Sequence, residues 1–212
     1  PWIMQNTPPS SFNMAAHVLS QAQVRADHPA LIVPGLHSWT YGALECAVRG
    51  LATGLLQRAS PGGHVLLRLG NTPEFPITYL ACIAGGLIPV PTSSQLTVTE
   101  VDKMAAELRP ALIVQAKGVA APTGDWPVLA QAELATLQTL PPANYAMGDP
   151  NRPAYIVYTS GTSGQARAVV HAHRAIRARQ MMWDGWYGLT PDDRLLHAGA
   201  FNWTYTIGTG LM

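Results

Sequence analysis

The chain has 212 residues, of which 48% are hydrophobic and 12% charged, with a formal net charge of +1. That length supports a sizeable core, and the charge balance excludes a global field that would steer the chain to nucleic acid or an anionic membrane. No run reaches the roughly 20 apolar residues of a membrane helix, and Pro1 to Ser11 lacks the basic-then-apolar order of a signal peptide, so a cytoplasmic location is expected.

The charged share is about half that of an ordinary soluble chain, which implies burial against something further. Leu211-Met212 directly follows the apolar, aromatic stretch from Phe201 to Gly210, so the chain is expected to be an incomplete fragment of a larger domain. Cys46 and Cys82 sit in apolar stretches without metal-site or disulfide spacing and are expected to be reduced core thiols.

In chain order, Leu44, Val48, Leu51 and Leu55 recur at helical spacing behind Thr40, which predicts a capped amphipathic helix. His64 to Leu69 is a continuous apolar run of strand type. Pro73 to Ala84 is expected to form a core helix, and Leu87 to Val90 a second strand. Val98, Val101, Ala105 and Leu108 form another apolar helix face, opened by a Thr97/Glu100 capping box and stopped by Pro110. Ala111 to Gln115 and Ala154 to Tyr158 complete four strand runs, all expected to lie in a parallel sheet buried on both faces. The proline-rich connection from Ala116 to Asn151 is expected to hold one helix near Leu129 to Leu137. Alternation of strands and helices predicts an α/β fold, a doubly wound, mostly parallel sheet flanked by helices.

After the fourth strand comes Thr159-Ser160-Gly161-Thr162-Ser163-Gly164-Gln165-Ala166-Arg167, followed by the β-rich run Ala168 to His171. The two glycines permit positive φ and close backbone approach, so successive N–H groups can converge on an anion. Thr159, Ser160, Thr162 and Ser163 add hydroxyl donors, and Arg167 adds a forked positive charge. By composition alone the stretch is equally a plain Gly/Ser-rich turn. It is neither a Walker loop, which ends in Lys-Ser/Thr, nor a Gly-x-Ser-x-Gly nucleophile elbow.

Tyr158 to Arg167 closely resembles the hallmark loop of the adenylate-forming superfamily, which includes acyl-CoA synthetases and peptide-synthetase adenylation domains. Pro29-Ala30-Leu31, Trp39-Thr40-Tyr41, Asn71 with Glu74-Phe75, Gly85-Gly86, His173 and Asp192-Asp193 extend the resemblance from about Asn13 onward. It implies that Thr159, Ser160, Gly161, Thr162, Ser163 and Gly164 hold ATP phosphates. Arg167 would supply charge to the leaving pyrophosphate, where the family has lysine. Ala166-Arg167-Ala168 replaces the family's Pro-Lys-Gly, which leaves the loop's shape open. The implied activity is carboxylate activation with Mg-ATP and transfer to coenzyme A, with no protein nucleophile and no protein metal site.

Ala198 to Tyr205 lies where the resemblance places the carboxylate pocket, with Trp203, then Phe201 and Tyr205, as wall candidates. The same stretch leans towards the benzoate and medium-chain acyl-CoA ligase branch, hence fatty acid metabolism. The implied domain plan is that 1–212 is the amino-terminal part of the large AMP-binding domain. Residues 1–60 lead, 61–212 form an α/β subdomain with the phosphate loop at 158–168, and the remaining parts are not in this chain. The isolated chain is therefore expected to be inactive. Its alternatives are a degenerate anion-binding relative and an amidase-like hydrolase, the latter without a catalytic lysine nearby. Arg174, Arg177 and Arg179 with His171 and His173 are expected to form a solvated helix face.

Overall fold

The computed structural model describes residues 9–160, 166–196 and 198–210. A short helix α1 (Met14–Val18) is followed by β1 (Pro29–Leu31) and β2 (Trp39–Thr40), which pair antiparallel. Then come α2 (Tyr41–Leu56), β3 (His64–Arg68), α3 (Glu74–Ala84), β4 (Ile88–Pro91), α4 (Val98–Leu108), β5 (Leu112–Gln115) and β6 (Val128–Ala130). A turn of 3₁₀ helix at Gln131–Glu133 leads into α5 (Leu134–Leu137). The last elements are β7 (Pro153–Ser160), β8 (Ala166–Ala172), α6 (Ala175–Met182), a π-turn at Trp183–Tyr187 and α7 (Thr204–Gly210).

Strands β4-β3-β5-β6 form a parallel sheet in that order. Moving from β3 to β4 and then back across to β5 places α3 and α4 on opposite faces, as right-handed crossovers require. Side chains alternate accordingly. Val65 and Leu67 enter the cluster that holds Leu51, Phe75 and Ile77, while Leu66 and Ile113 enter the one that holds Val101 and Leu108. The face expected on α2 is realised, with Leu44, Val48, Leu51 and Leu55 all buried, each contributing about 2 kcal/mol by removal from water. Thr40 accepts from Ala43 N, and the Thr97/Glu100 capping box closes in both directions.

Several expectations need correction. Ala154 to Tyr158 is not part of the parallel sheet, because β7 pairs antiparallel with β8 in a sheet of its own. Pro89 and Pro91 explain the separation. Ile88 N donates to Gly63 O on the β3 side, so the alternate residues 89 and 91 face outward, and as prolines they have no N–H to offer β7. Even so, β7 lies against β4 and extends both apolar layers, with Tyr155 and Val157 in one cluster and Ile156 in the other.

The helix expected over Leu129 to Leu137 is a strand for its first part, since Val128–Ala130 pairs with Ile113–Gln115. Cys46 is exposed on α2 rather than in the core, whereas Cys82 is fully buried and its thiol pKa is pushed well up by desolvation. Val98 is exposed as well, so the buried face of α4 starts at Val101. The basic run is not a solvated helix face throughout. His173 is buried, with Nδ1 accepting from Met14 N at 2.9 Å, and His171 stacks on Tyr155 with ring centroids 4.5 Å apart.

Candidate functional site

Antiparallel pairing runs from Pro153↔Ala172 to Ser160↔Ala166, so the glycine-bearing stretch joins two strands whose ends face each other across one rung. Gly161, Thr162, Ser163 and Gly164 lie outside the described residues. Thr159 stands opposite Arg167 in the ladder, and directly opposed residues project from the same face with Cβ atoms about 5 Å apart. Arg167 is exposed and its side chain has no partner among the described residues. A strand rather than a helix follows the connection. Backbone N–H groups, hydroxyls and the guanidinium are the available donors.

The hairpin is anchored at three points. Tyr158 OH donates to Glu107 at 2.8 Å, and desolvation, then that carboxylate acceptor, raises the phenol pKa well above its usual value. Tyr155 packs edge-on against Tyr79, and its OH accepts from Arg179 Nη2 at 3.4 Å. Arg179 Nη1 also donates to Thr204 O at 3.2 Å, which ties α6 to α7. His173, just past β8, is held by Met14 N; burial first, then the nearby Arg152 charge, lower its pKa to about 4, so the ring is neutral at pH 7.

A cavity of about 500 Å³ opens beyond the carboxyl ends of β3 and β4, the usual ligand crevice of an open α/β sheet. Leu69, Asn71 and Phe75 contribute from the β3 side, Thr92 to Gln95 from the β4 side, and Ala198 to Ala200 with Asn202 and Trp203 from the chain before α7. Trp203 thus lies in the lining, 61% exposed. Phe201 is half-buried and stacks on Phe75 with centroids 5.3 Å apart. Tyr205 falls on α7 outside the lining and accepts a hydrogen bond from Tyr187 OH at 3.4 Å.

Arg68 supports the floor of this cavity. It is wholly buried at the end of β3, and donates to Ala120 O at 2.7 Å, to Thr92 Oγ1 at 2.9 Å and to the carbonyl of Ser93. Desolvation pulls its pKa down to about 10, so it stays charged at neutral pH. A buried cation held by carbonyls rather than by a carboxylate works as a staple that fixes Thr92 and Ser93. Sequence reasoning missed Asn202 and Thr92 to Gln95. The available signal was a polar Thr-Ser-Ser-Gln run directly after a buried strand, where such sheets place their ligands.

Among the described residues no cluster of three His, Cys, Asp or Glu side chains could hold a metal ion.

The family described as AMP-binding enzyme matches residues 18–212. A 3-hydroxybenzoate–CoA ligase of Aromatoleum sp. (strain CIB) is 28% identical over 219 residues, spanning 90% of this chain and 40% of the ligase. The PKS-NRPS hybrid synthetase ATPKS of Aspergillus niger is 32% identical over 192 residues, 84% of this chain and 10% of that protein. Among solved structures, a benzoate CoA ligase from Burkholderia xenovorans LB400 matches with a TM-score of 0.82 at 21% identity, covering 94% of this chain and 42% of the ligase. The AMPPNP-bound peptide synthetase FmoA3 matches at 0.81 and 21% identity, over 97% of this chain and 22% of that one. The chain spans about two-fifths of the length of the hydroxybenzoate ligase, and the structural likeness bears on the fold alone.

Proposed function

Since the chain belongs to the AMP-binding enzyme family of adenylate-forming ligases, we propose that the protein it forms part of activates a small carboxylic acid with ATP and passes the acyl group to coenzyme A. A carboxylate oxygen attacks the α-phosphorus, the bond to the β-phosphate oxygen breaks, and pyrophosphate leaves. The coenzyme A thiol then attacks the acyl carbon and AMP departs with the bonding pair. In this reading residues 1–212 are the amino-terminal part of the large domain, with 1–60 leading and 61–212 forming its α/β subdomain. The isolated chain does not turn over. Both co-substrates are soluble metabolites, which fits the cytoplasm, and magnesium arrives with the nucleotide.

The observation that carries this reading is the pairing of Thr159 with Arg167, exposed and without a side-chain partner among the described residues, at the mouth of the glycine-bearing hairpin. An unneutralised guanidinium there is available to the β- and γ-phosphates while Thr159, Ser160 and residues 161–164 supply hydroxyl and N–H donors. No attacking side chain is needed, because positioning and charge stabilisation of the leaving group supply the catalysis.

Transfer to coenzyme A, rather than to a peptide-synthetase carrier, is favoured by the chemistry of the cavity. Among the described residues its lining offers amides and hydroxyls from Asn71, Thr92, Ser93, Ser94, Gln95 and Asn202 and aromatic faces from Phe75 and Trp203, with no acidic side chain. An amino acid's ammonium group would be desolvated there without a counter-charge. A compact, neutral aromatic acyl group with hydrogen-bonding substituents suits such walls, in keeping with the hydroxybenzoate named for the Aromatoleum ligase. The replacement of Pro-Lys-Gly by Ala166-Arg167-Ala168 favours a second reading, a relative that binds nucleotide without activating acids.

Carboxylate-dependent ATP–pyrophosphate exchange by the full-length protein separates the two. Arg167→Ala is expected to lower the exchange rate by about a hundredfold or more while thioester formation from preformed acyl-adenylate changes little. Equal loss in both steps refutes the phosphate role of Arg167, and no exchange by the unsubstituted protein supports the second reading.

A further inference from the structure

The stretch from Ala198 to Trp203 pairs with no strand among the described residues, yet its backbone is held from outside. Asn71, in the connection after β3, donates from Nδ2 to Gly199 O at 3.2 Å and accepts at Oδ1 from Phe201 N at 3.0 Å. One primary amide thereby serves a carbonyl and an N–H two residues apart, as a neighbouring strand would. Four residues on, Phe75 in the first turn of α3 stacks on Phe201 at an interplanar angle of 17°. Residues 71 and 75 grip the chain at three points, and the next two residues, Asn202 and Trp203, line the cavity together with Thr92 to Gln95.

We propose that Asn71 is a positioning residue for carboxylate recognition: by clamping Gly199 and Phe201 it sets where the Asn202–Trp203 wall stands relative to the Thr92–Gln95 wall. This rests on the assignment of the cavity to the acyl group made above. The opposite wall is already fixed by Arg68, which leaves the clamp as the adjustable side of the site. Asn71 is itself exposed at the cavity mouth, so water can replace both of its bonds and their loss disturbs global stability little. Displacement of a pocket wall by about 1 Å is, in contrast, enough to degrade binding and orientation of a small ligand.

The experiment is steady-state ATP–pyrophosphate exchange with benzoate and 3-hydroxybenzoate as probes, using the full-length protein and its Asn71→Ala and Asn71→Asp variants. Asn71→Ala is expected to raise the KM for the acid about tenfold, with the KM for ATP unchanged and Tm within about 2 °C. Asn71→Asp keeps the acceptor for Phe201 N but sets a carboxylate against Gly199 O and beside the anionic acid, so its KM for the acid should rise at least as far as that of Asn71→Ala. A shift in one KM alone is a readout that loss of a merely structural contact would not produce. Exchange with unchanged acid KM in both variants, or equal rises for acid and ATP, overturns the assignment of Asn71 and leaves the proposed function standing. No exchange by the unsubstituted protein overturns both.

Discussion

Replacement of Asn13 by alanine tests how the amino-terminal segment is fastened to the body. Asn13 is 1% exposed, and its amide is fully used: Oδ1 accepts from Ala15 N and Ala16 N as the cap of α1, and Nδ2 donates to Ile83 O and Ala146 O, each at 2.9 Å. Loss of the cap costs about 1 kcal/mol. Neither tertiary acceptor is orphaned, because Ile83 O still accepts from Gly86 N and Ala146 O from Arg152 Nη2. Each therefore loses about 1 kcal/mol of net hydrogen bonding rather than the larger penalty for an unsatisfied group. The expected total is about 3 kcal/mol, a fall in Tm of about 6–12 °C for a chain of this size. Thermal unfolding followed by circular dichroism measures it. Asn13→Ser, which keeps a cap oxygen and loses both tertiary donors, should recover only about a third of the loss. A Tm for Asn13→Ala within 2 °C of the parent, or full recovery by serine, would refute the reasoning.

Gly50 lies in α2 where an added Cβ would come within 2.3 Å of Gln138 O and 2.9 Å of Leu140 O. Gly50→Ala is expected to lower the urea midpoint despite the roughly 1 kcal/mol that alanine gains in helix propensity, because the clash is with backbone; a raised midpoint would count against this packing. His173 gives a pH dependence of known sign. Its folded pKa of about 4 lies below the ordinary 6.5, so its contribution is complete above about pH 6.5 and is lost as pH falls towards 4, by up to about 3 kcal/mol. His17 and His171, lowered chiefly by burial, act in the same sense. His173→Asn, which can still accept from Met14 N, should lose less stability between pH 7 and 4.5 than the parent does, and parallel urea curves for the two proteins would exclude His173 as a source of the slope.

The helices were largely legible because each announces itself within a few residues. The 4-3-4 spacing of Leu44, Val48, Leu51 and Leu55, the Thr97/Glu100 box and the apolar run after Glu74 all fall where helices stand. The existence of β3, β4, β5 and β7 was legible for the same reason, but not that of the short β1 and β2, and strand direction was not legible. Whether Ala154 to Tyr158 joins the parallel sheet depends on which edge of β4 carries Pro89 and Pro91, and that emerges only once β4 is laid beside β3. The short β6 escaped detection because Leu129 to Leu137 keeps helical spacing while its first residues are claimed by β5.

By itself the sequence determined the α/β class and the glycine-bearing, hydroxyl-rich make-up of the Thr159 to Arg167 stretch, since residue types and spacings of up to about ten positions carry both. Tertiary structure alone decided that Arg167 faces Thr159 across an antiparallel hairpin, that His173 is a buried neutral acceptor, and that Asn71 grips the chain at Gly199 and Phe201. Those contacts join residues from opposite strands or from more than a hundred positions apart, and no local period encodes them. They follow from how the sheet packs, because a buried donor or acceptor must find whichever partner the fold brings within reach.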